Sequence, residues 1–174
     1  MTPTNAQTQN IILIGMPGAG KSTLGIVLAK IMNKSFIDAD LIIQNQMDKT
    51  LQKIIDSLGP DGFIDVENQI LSEITAENTV IATGGSAVYS DAAMNHLREI
   101  GTVVYLKASY ETIEKRIRNF ATRGIVIPEG QTFRDVYNER TALYEKYADI
   151  TVDVDADKAD IWDVVEAITA KLKD

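Results

Sequence analysis

The sequence has 174 residues, which is enough for one domain with a single buried core and too short for two. It contains no cysteine and one histidine, so disulfide and thiol chemistry are excluded and a zinc site is disfavoured. The net charge of −8 argues against a broad nucleic-acid-binding surface, and no apolar run is long enough to cross a membrane. A small anionic ligand held by a few basic side chains remains compatible with this composition.

The amino-terminal residues 1–9 are polar and lack both the basic start and the apolar middle of a signal peptide. They predict a disordered tail, and residues 10–174 predict a single domain. We expect a cytoplasmic monomer whose partner is a small molecule, with neither nucleic acid nor a membrane.

Short apolar runs rich in Ile or Val alternate with longer helical patterns along the chain. The predicted strands are residues 10–14, 35–38, 79–82, 102–106 and 150–154. The predicted helices are residues 21–32, 51–58, 62–74, 91–100, 111–120, 133–148 and 158–171, with a turn near 41–47. This alternation predicts a three-layer α/β/α sandwich with a parallel sheet and a ligand site at the carboxyl ends of its strands.

Residues with capping chemistry mark the ends of these helices. Trp162 is predicted to anchor the last helix in the core. The connection at about 120–131, "FATRGIVIPEGQ", is long and contains its own glycines and proline, which predicts a lid; an idle surface loop is the alternative. The predicted N-caps are Thr50, Asp61, Ser90, Ser109 and Thr132, and the predicted C-terminal glycines are Gly59 and Gly101.

The stretch "GMPGAGKST" between the first strand and the first helix is a complete P-loop. Its glycines let backbone N–H groups converge on phosphate oxygens, and the following helix adds its positive end. In such a loop Lys21 reaches the β and γ phosphates and Ser22 offers its hydroxyl to Mg²⁺. The predicted nucleotide-binding residues are Gly15, Gly18, Ala19, Gly20, Lys21, Ser22 and Thr23.

The second predicted strand ends in "FIDAD", which places Asp38 and Asp40 close to the P-loop. Two residues apart on an extended chain, the two side chains would point to the same side. One carboxylate can order the waters of Mg²⁺ while the other faces an acceptor hydroxyl, as a kinase requires. A solvated strand end is the alternative. The chain lacks the base-reading motif of a guanine-nucleotide switch and the length of a motor, which favours a small-molecule kinase.

The sequence resembles the shikimate kinase family in five features taken together. They are the P-loop, "FIDAD", "TGGSAV" at residues 83–88, Arg123 and "RTALYEKYAD" at residues 140–149. The resemblance covers about residues 10–155. It implies a nucleoside-monophosphate-kinase-like fold with five strands in the order 2-3-1-4-5. It also implies ATP and Mg²⁺ as cofactors and transfer of the γ-phosphoryl group to shikimate.

The resemblance also implies a role for individual residues. Asp38 would support the metal and Asp40 would be the acceptor-side carboxylate. Arg116 would lie against adenine, Arg123 would close over the phosphates, and Arg140 would grip the substrate carboxylate. The implied catalytic residues are Lys21, Asp40 and Arg123, and the implied substrate-binding residues are Asp40, Gly84, Gly85 and Arg140.

Three residues depart from the family pattern, all in the acceptor half or the lid. Ile64 stands where the family's run, here "GPDGFIDVE", carries an arginine, so Glu67 loses its expected partner. Such a charge-assisted bond to a substrate carboxylate is worth about 1.5–3 kcal/mol. Ser86 replaces a glycine, and Gly124 replaces a proline.

Three interpretations therefore stay open. The protein is a shikimate kinase that holds the carboxylate with Arg140 and Arg123, or its acceptor is another small hydroxylated molecule. The third interpretation is a nucleotide-binding regulator without turnover, against which the presence of Asp40 and Arg123 argues.

Overall fold

The computed structural model describes residues 9–118, 124–155 and 160–173, which form a five-stranded parallel sheet with helices around it. The strand order is β2-β3-β1-β4-β5, which confirms the predicted topology. Residues 1–8 of the predicted tail and Arg123 of the predicted lid lie outside the described residues. The strands are β1 (Asn10–Ile14), β2 (Ser35–Asp38), β3 (Thr79–Ala82), β4 (Gly101–Lys107) and β5 (Ile150–Asp153).

The two central strands β1 and β3 are buried along their whole length. Ile12 of β1 is in register with Ile81 of β3 on one side and Val103 of β4 on the other. A parallel sheet covered by helices on both faces needs such uninterrupted apolar runs. This burial explains why the strands could be found in the sequence within one residue at each end.

The helices are α1 (Lys21–Met32), α2 (Ala39–Met47), α3 (Leu51–Glu73), α4 (Asp91–Ile100), α5 (Tyr110–Arg118), α6 (Phe133–Tyr147) and α7 (Ile161–Lys171), and a short 3-10 helix spans Ala87–Tyr89. Four predicted N-caps are confirmed. The side chains of Thr50, Ser90, Ser109 and Thr132 each accept a hydrogen bond from the backbone N–H three residues later. These bonds satisfy donors that the first helical turn leaves unpaired.

The region of residues 41–74 differs from the prediction. The expected turn near 41–47 is the helix α2, because Asp38 caps its first turn. The two helices expected at 51–58 and 62–74 are joined as α3 across a kink at Gly59, which adopts φ 73° and ψ 172° at the position predicted for a C-terminal glycine. Pro60 follows the kink, where its missing N–H costs no helical hydrogen bond. The prediction of Asp61 as an N-cap was therefore wrong.

The prediction that Trp162 anchors the core was also wrong, since the residue is 60% exposed. Asp160 caps α7 through the N–H groups of Trp162 and Asp163. From that start the helical period turns Val164, Val165 and Ile168 inward and leaves Trp162 on the outer face.

A second, smaller apolar cluster lies apart from the main core. It joins α2 and α3 to the described part of the predicted lid, and it includes Ile43, Ile54, Phe63 and Val126. Ile64 is half-buried and packs against this cluster. No helix within the described ranges is long and apolar enough to cross a membrane.

Candidate active site

One cavity of about 240 Å³ gathers most of the residues singled out in the sequence. It lies between the P-loop, the start of α2, the second half of α3, the turn after β3 and α6. Of the predicted site residues, Gly15, Ala19 and Arg116 do not line it, and Arg123 lies outside the described residues. The predicted residues that do line it are Gly18, Gly20, Lys21, Ser22, Thr23, Asp38, Asp40, Gly84, Gly85 and Arg140.

The P-loop has the backbone shape that its glycines predict. Gly15, Gly18 and Gly20 have φ values of 149°, 84° and 96°, in the region that side chains disfavour. The amine of Lys21 donates hydrogen bonds to the carbonyls of Gly15 at 2.7 Å and Met16 at 2.9 Å. Because α1 begins at Lys21, its first N–H groups and its positive end face the cavity. The loop can therefore hold phosphate oxygens.

Asp38 lies where β2 ends and α2 begins, and its two oxygens have different partners. Oδ2 accepts a hydrogen bond from the Ser22 hydroxyl at 2.6 Å, and Oδ1 accepts one from the backbone N–H of Asp40 at 3.0 Å. Asp40 thus sits in the first turn of a helix. The expectation that both aspartates extend from one straight strand was wrong, because Asp38 captures the N–H of Asp40 and starts the helix. Both still line the same cavity.

The Ser22 and Asp38 pair suits Mg²⁺. Hard cations of this kind prefer oxygen ligands, and Mg²⁺ in nucleotide sites keeps several waters and takes one or two protein carboxylates together with phosphates. Within the described ranges there is no cluster of three or more His, Asp or Glu side chains that could hold a metal. A hydroxyl and a carboxylate beside a phosphate-binding loop therefore fit this ion.

Two glycines after β3 allow three charged side chains to approach the cavity wall. A Cβ on Gly84 would lie 2.0 Å from Oε1 of Glu67 and 2.9 Å from Oδ1 of Asp40. A Cβ on Gly85 would lie 3.0 Å from Nη1 of Arg140 and 2.6 Å from a Pro17 carbon. Any larger residue at either position would displace the groups that define this side of the cavity.

Arg140 is 1% exposed and rigidly held. Its Nη2 donates to the carbonyl of Val126 at 2.7 Å, and its Nε donates to the hydroxyl of Tyr89 at 3.3 Å. The guanidinium is thus fixed in orientation, with Nη1 toward Gly85. A buried cation beside a cavity favours an anionic group in the ligand.

Tyr144, one helical turn after Arg140, does not line the cavity but contacts its wall, and sequence reasoning gave it no role. Its hydroxyl donates to the carbonyl of Gly85 at 2.6 Å, and its ring stacks on Tyr105 with centroids 5.1 Å apart. The spacing of four residues, which puts Arg140 and Tyr144 on one face of α6, was the signal that could have found it.

Glu67 was noted in the sequence only as a residue without its expected partner, yet it lines the cavity and is 1% exposed. The Ser86 hydroxyl donates a short hydrogen bond to its Oε2, whereas Oε1 has no hydrogen-bond partner among the described residues. Burial and the nearby Asp40 carboxylate raise the pKa of Glu67 to about 7. Ser86, Arg140 and Lys21 act in the opposite direction.

Arg116 lies behind the P-loop. Its guanidinium donates to the carbonyls of Gly18 and Val154, each at 3.1 Å, and so ties the loop to the end of β5. Gly124, the first described residue after Arg123, packs so closely on α3 that a Cβ would lie 2.9 Å from the Gln52 nitrogen. Gly124 and Val126 both line the cavity, so these two residues of the predicted lid form part of its wall.

A parallel α/β/α sandwich whose P-loop faces a wall of carboxylates and a buried arginine across one cavity has the design of a P-loop kinase. A family model described as shikimate kinase matches residues 17–173. The chain belongs to the shikimate kinase family.

Individual relatives agree with this assignment. The chain is 37% identical over 160 residues to the shikimate kinase of Pasteurella multocida (strain Pm70), covering 90% of this chain and 91% of the relative. A shikimate kinase of Haemophilus influenzae (strain PittEE) is likewise 37% identical, with 90% and 89% covered. The fold is similar to that of the shikimate kinase from Acinetobacter baumannii in complex with shikimate. That comparison has a TM-score of 0.85 and 30% identity, and covers 95% of this chain and 93% of the other.

Proposed function

We propose that this protein transfers the γ-phosphoryl group of ATP to a hydroxyl of shikimate, giving shikimate 3-phosphate and ADP. The observation that carries the proposal is the cavity in which a P-loop with its Ser22–Asp38 pair faces Asp40, Gly84, Gly85 and Arg140. The identity of 37% to curated shikimate kinases supports shikimate as the acceptor.

The donor half binds the nucleotide. The P-loop N–H groups and the amine of Lys21 would hold the phosphates, and Ser22 and Asp38 would hold Mg²⁺. When bound, Mg²⁺ neutralises charge on the phosphate oxygens. Arg116 would lie against the adenine ring, and Arg123 would close over the phosphates from the lid.

In the acceptor half the carboxylate of Asp40 takes the proton of the attacking hydroxyl. The hydroxyl oxygen forms a bond to the γ-phosphorus while the bond from that phosphorus to the bridging oxygen of ADP breaks. Arg140 binds the carboxylate of the acceptor, and the backbone at Gly84 and Gly85 positions its ring. Positioning and charge neutralisation account for catalysis, since no covalent enzyme intermediate is required.

The half-buried Ile64 favours a second candidate, which is the same reaction on another small hydroxylated acid. Its aliphatic side chain packs against the apolar cluster and gives no charge to the acceptor half. Binding of a substrate carboxylate in the acceptor half would therefore depend on Arg140 and on the lid.

The two candidates are separated by measuring ADP release with ATP, Mg²⁺ and either shikimate or a panel of sugars, sugar acids and hydroxy acids. We expect saturable turnover with shikimate. Turnover with another acid and none with shikimate would establish the second candidate.

Two variants test the assigned roles in the same assay. Lys21→Ala should lower turnover by at least about 100-fold, whereas Lys30→Ala, an exposed lysine on the same helix, should not change it. Asp40→Asn should lower kcat by about 100-fold or more and leave the KM for ATP nearly unchanged. A loss of ATP affinity without a loss of kcat would contradict the role of Asp40.

A further inference from the structure

We infer that Tyr89 is a positioning residue for the acceptor carboxylate, because its hydroxyl, with Glu139 behind it, fixes the guanidinium of Arg140 at the cavity wall. This inference deepens the proposed function and rests on it, since Arg140 is the residue proposed to bind that carboxylate. Tyr89 does not itself line the cavity and acts through Arg140.

The guanidinium of Arg140 is held on two sides. Its Nε donates a hydrogen bond to the hydroxyl of Tyr89 at 3.3 Å, and its Nη2 donates one to the carbonyl of Val126 at 2.7 Å. A guanidinium is planar with its donors in a fixed fork, so two held nitrogens determine where the third one points. The third nitrogen, Nη1, lies beside Gly85, which lines the cavity. The contact with Tyr89 therefore helps to aim Nη1 at the acceptor.

The turn after β3 places Tyr89 for this contact. Tyr89 ends the short 3-10 helix, which packs against α6, the helix that carries Arg140. The guanidinium carbon of Arg140 lies 5.2 Å from the centroid of the Tyr89 ring, within the range of a cation–π contact. Both the ring and the hydroxyl of one side chain thus act on the arginine.

Glu139, the residue before Arg140 on α6, holds the Tyr89 hydroxyl from the other side. The hydroxyl forms a hydrogen bond with the Glu139 carboxylate. Burial raises the pKa of Tyr89 above its ordinary value, so the hydroxyl keeps its proton at neutral pH. It can therefore donate to Glu139 while it accepts from Arg140. Oε2 of Glu139 in turn accepts a hydrogen bond from the amide of Gln131 at 3.1 Å. A chain of polar side chains thus runs from the end of the predicted lid to Arg140.

The orientation of Arg140 matters because the acceptor half has few cations. Among the described residues that line the cavity, only Lys21 and Arg140 have positively charged side chains. The Lys21 amine donates to P-loop carbonyls, and Ile64 is aliphatic. Within the described part of the chain, an acceptor carboxylate therefore depends on one guanidinium. Hydrogen bonds from that group are strong only when its N–H bonds point at the carboxylate oxygens.

Tyr89→Phe tests the contact, because it keeps the ring and removes only the hydroxyl. We expect the KM for shikimate to rise about 3- to 10-fold, with kcat and the KM for ATP nearly unchanged. The matched control is Tyr110→Phe. Tyr110 also contacts an arginine, with the guanidinium carbon of Arg134 3.6 Å from its ring centroid, but it does not line the cavity. Tyr110→Phe should leave all three constants as they are in the wild type.

A second acceptor separates positioning from a purely structural role. In shikimamide a neutral carboxamide replaces the carboxylate of shikimate, so the charge proposed to bind Arg140 is absent. With this acceptor Tyr89→Phe and the wild type should have the same kcat/KM within about twofold, because the two changes remove one interaction. Tyr89→Phe should likewise have no further effect in Arg140→Lys, since lysine has no guanidinium to orient.

Each outcome supports or overturns the inference. Equal losses of kcat/KM with shikimate and with shikimamide would show that Tyr89 only supports packing, and the inference would be overturned. An unchanged KM for shikimate would overturn it as well, because Arg140 would then be oriented without the hydroxyl. If Tyr89→Phe does not fold, Glu139→Ala at an exposed position takes its place with the same expected pattern. If the wild-type protein does not turn over shikimate at all, the proposed function fails and this assignment fails with it.

Discussion

The hydroxyl of Ser22 donates a hydrogen bond of 2.6 Å to Asp38, and so joins the start of α1 to the end of β2. The strand that precedes α1, β1, is not adjacent to β2 in the sheet, since β3 lies between them. The other oxygen of Asp38 starts the helix that carries Asp40. One carboxylate therefore aligns the hydroxyl proposed to bind Mg²⁺ with the group proposed to take the acceptor proton.

Asp38→Asn should raise the Mg²⁺ concentration required for half-maximal turnover by about 10- to 100-fold. Asparagine can still accept the N–H of Asp40, so α2 keeps its cap while the negative charge beside the ion is lost. The measurement is kcat as a function of Mg²⁺ at saturating ATP. Asp48→Asn, the same change at the exposed end of α2, serves as the control. An unchanged Mg²⁺ dependence in Asp38→Asn would remove Asp38 from the metal site.

The free energy of unfolding should depend on pH through Glu67. Its pKa is raised from 4.5 to about 7 by burial and by Asp40, so the folded state holds a proton that the unfolded state releases. The stabilisation from this proton is complete below pH 4.5 and is lost as the pH rises to about 7. Glu67→Gln does not titrate. From pH 5 to pH 8 the free energy of unfolding of Glu67→Gln should therefore rise by roughly 2–3 kcal/mol relative to that of the wild type.

Urea denaturation of both proteins at several pH values measures this difference. The pH dependence arises from Glu67 if the difference in free energy of unfolding between the two proteins changes between pH 5 and pH 7 and is constant above that range. Parallel pH profiles for the wild type and Glu67→Gln would show that Glu67 is ionised in the folded protein throughout.

Tyr144→Phe should weaken acceptor binding more than ATP binding. The change removes the 2.6 Å hydrogen bond to the Gly85 carbonyl. That carbonyl oxygen then lacks this hydrogen bond, at a cost of about 1–3 kcal/mol in the free energy of unfolding. The KM for shikimate should rise several-fold and the KM for ATP should stay nearly constant. Tyr137→Phe on the same helix is a close control, because its hydroxyl donates to the Ala108 carbonyl at 2.8 Å. Equal changes in both KM values would argue against a role in the acceptor half.

Ile64→Arg should lower the KM for shikimate by about 10- to 100-fold. An arginine at this position, three residues before Glu67 on α3, would be within reach of Glu67 and could share the acceptor carboxylate with Arg140. Ile64→Met, which keeps an apolar side chain against the second cluster, should leave the KM unchanged. If arginine has no more effect than methionine, the aliphatic residue does not explain the divergent acceptor half.

Most of the fold could be predicted because its signals are local. The strands are short runs, fully buried in β1 and β3, and the predicted bounds of β1, β2 and β3 agree with the structure. The P-loop is equally local, since its nine residues carry their own turn chemistry. The break at Gly59 was predicted, but the first residue of the second half of α3 and the exposed face of Trp162 depended on where each helix starts, and the sequence pattern left that open.

The acceptor half was harder to predict because its contacts join distant parts of the chain. Ser86 reaches Glu67 across 19 residues, Tyr144 reaches Gly85 across 59, and Arg140 reaches Val126 across 14. None of these pairs has a periodic signature. The sequence revealed that Glu67 lacked an arginine partner, but only the packing of the turn after β3 shows that Ser86 supplies a hydroxyl to it.

The most direct test of the central claim is the identity of the product formed from ATP, Mg²⁺ and shikimate, measured by phosphorus NMR and mass spectrometry. We predict one phosphate ester, at the 3-hydroxyl of shikimate, with one ADP formed for each ester and none with Lys21→Ala. ADP formation without a shikimate ester, in protein that binds ATP normally, would contradict the proposed function.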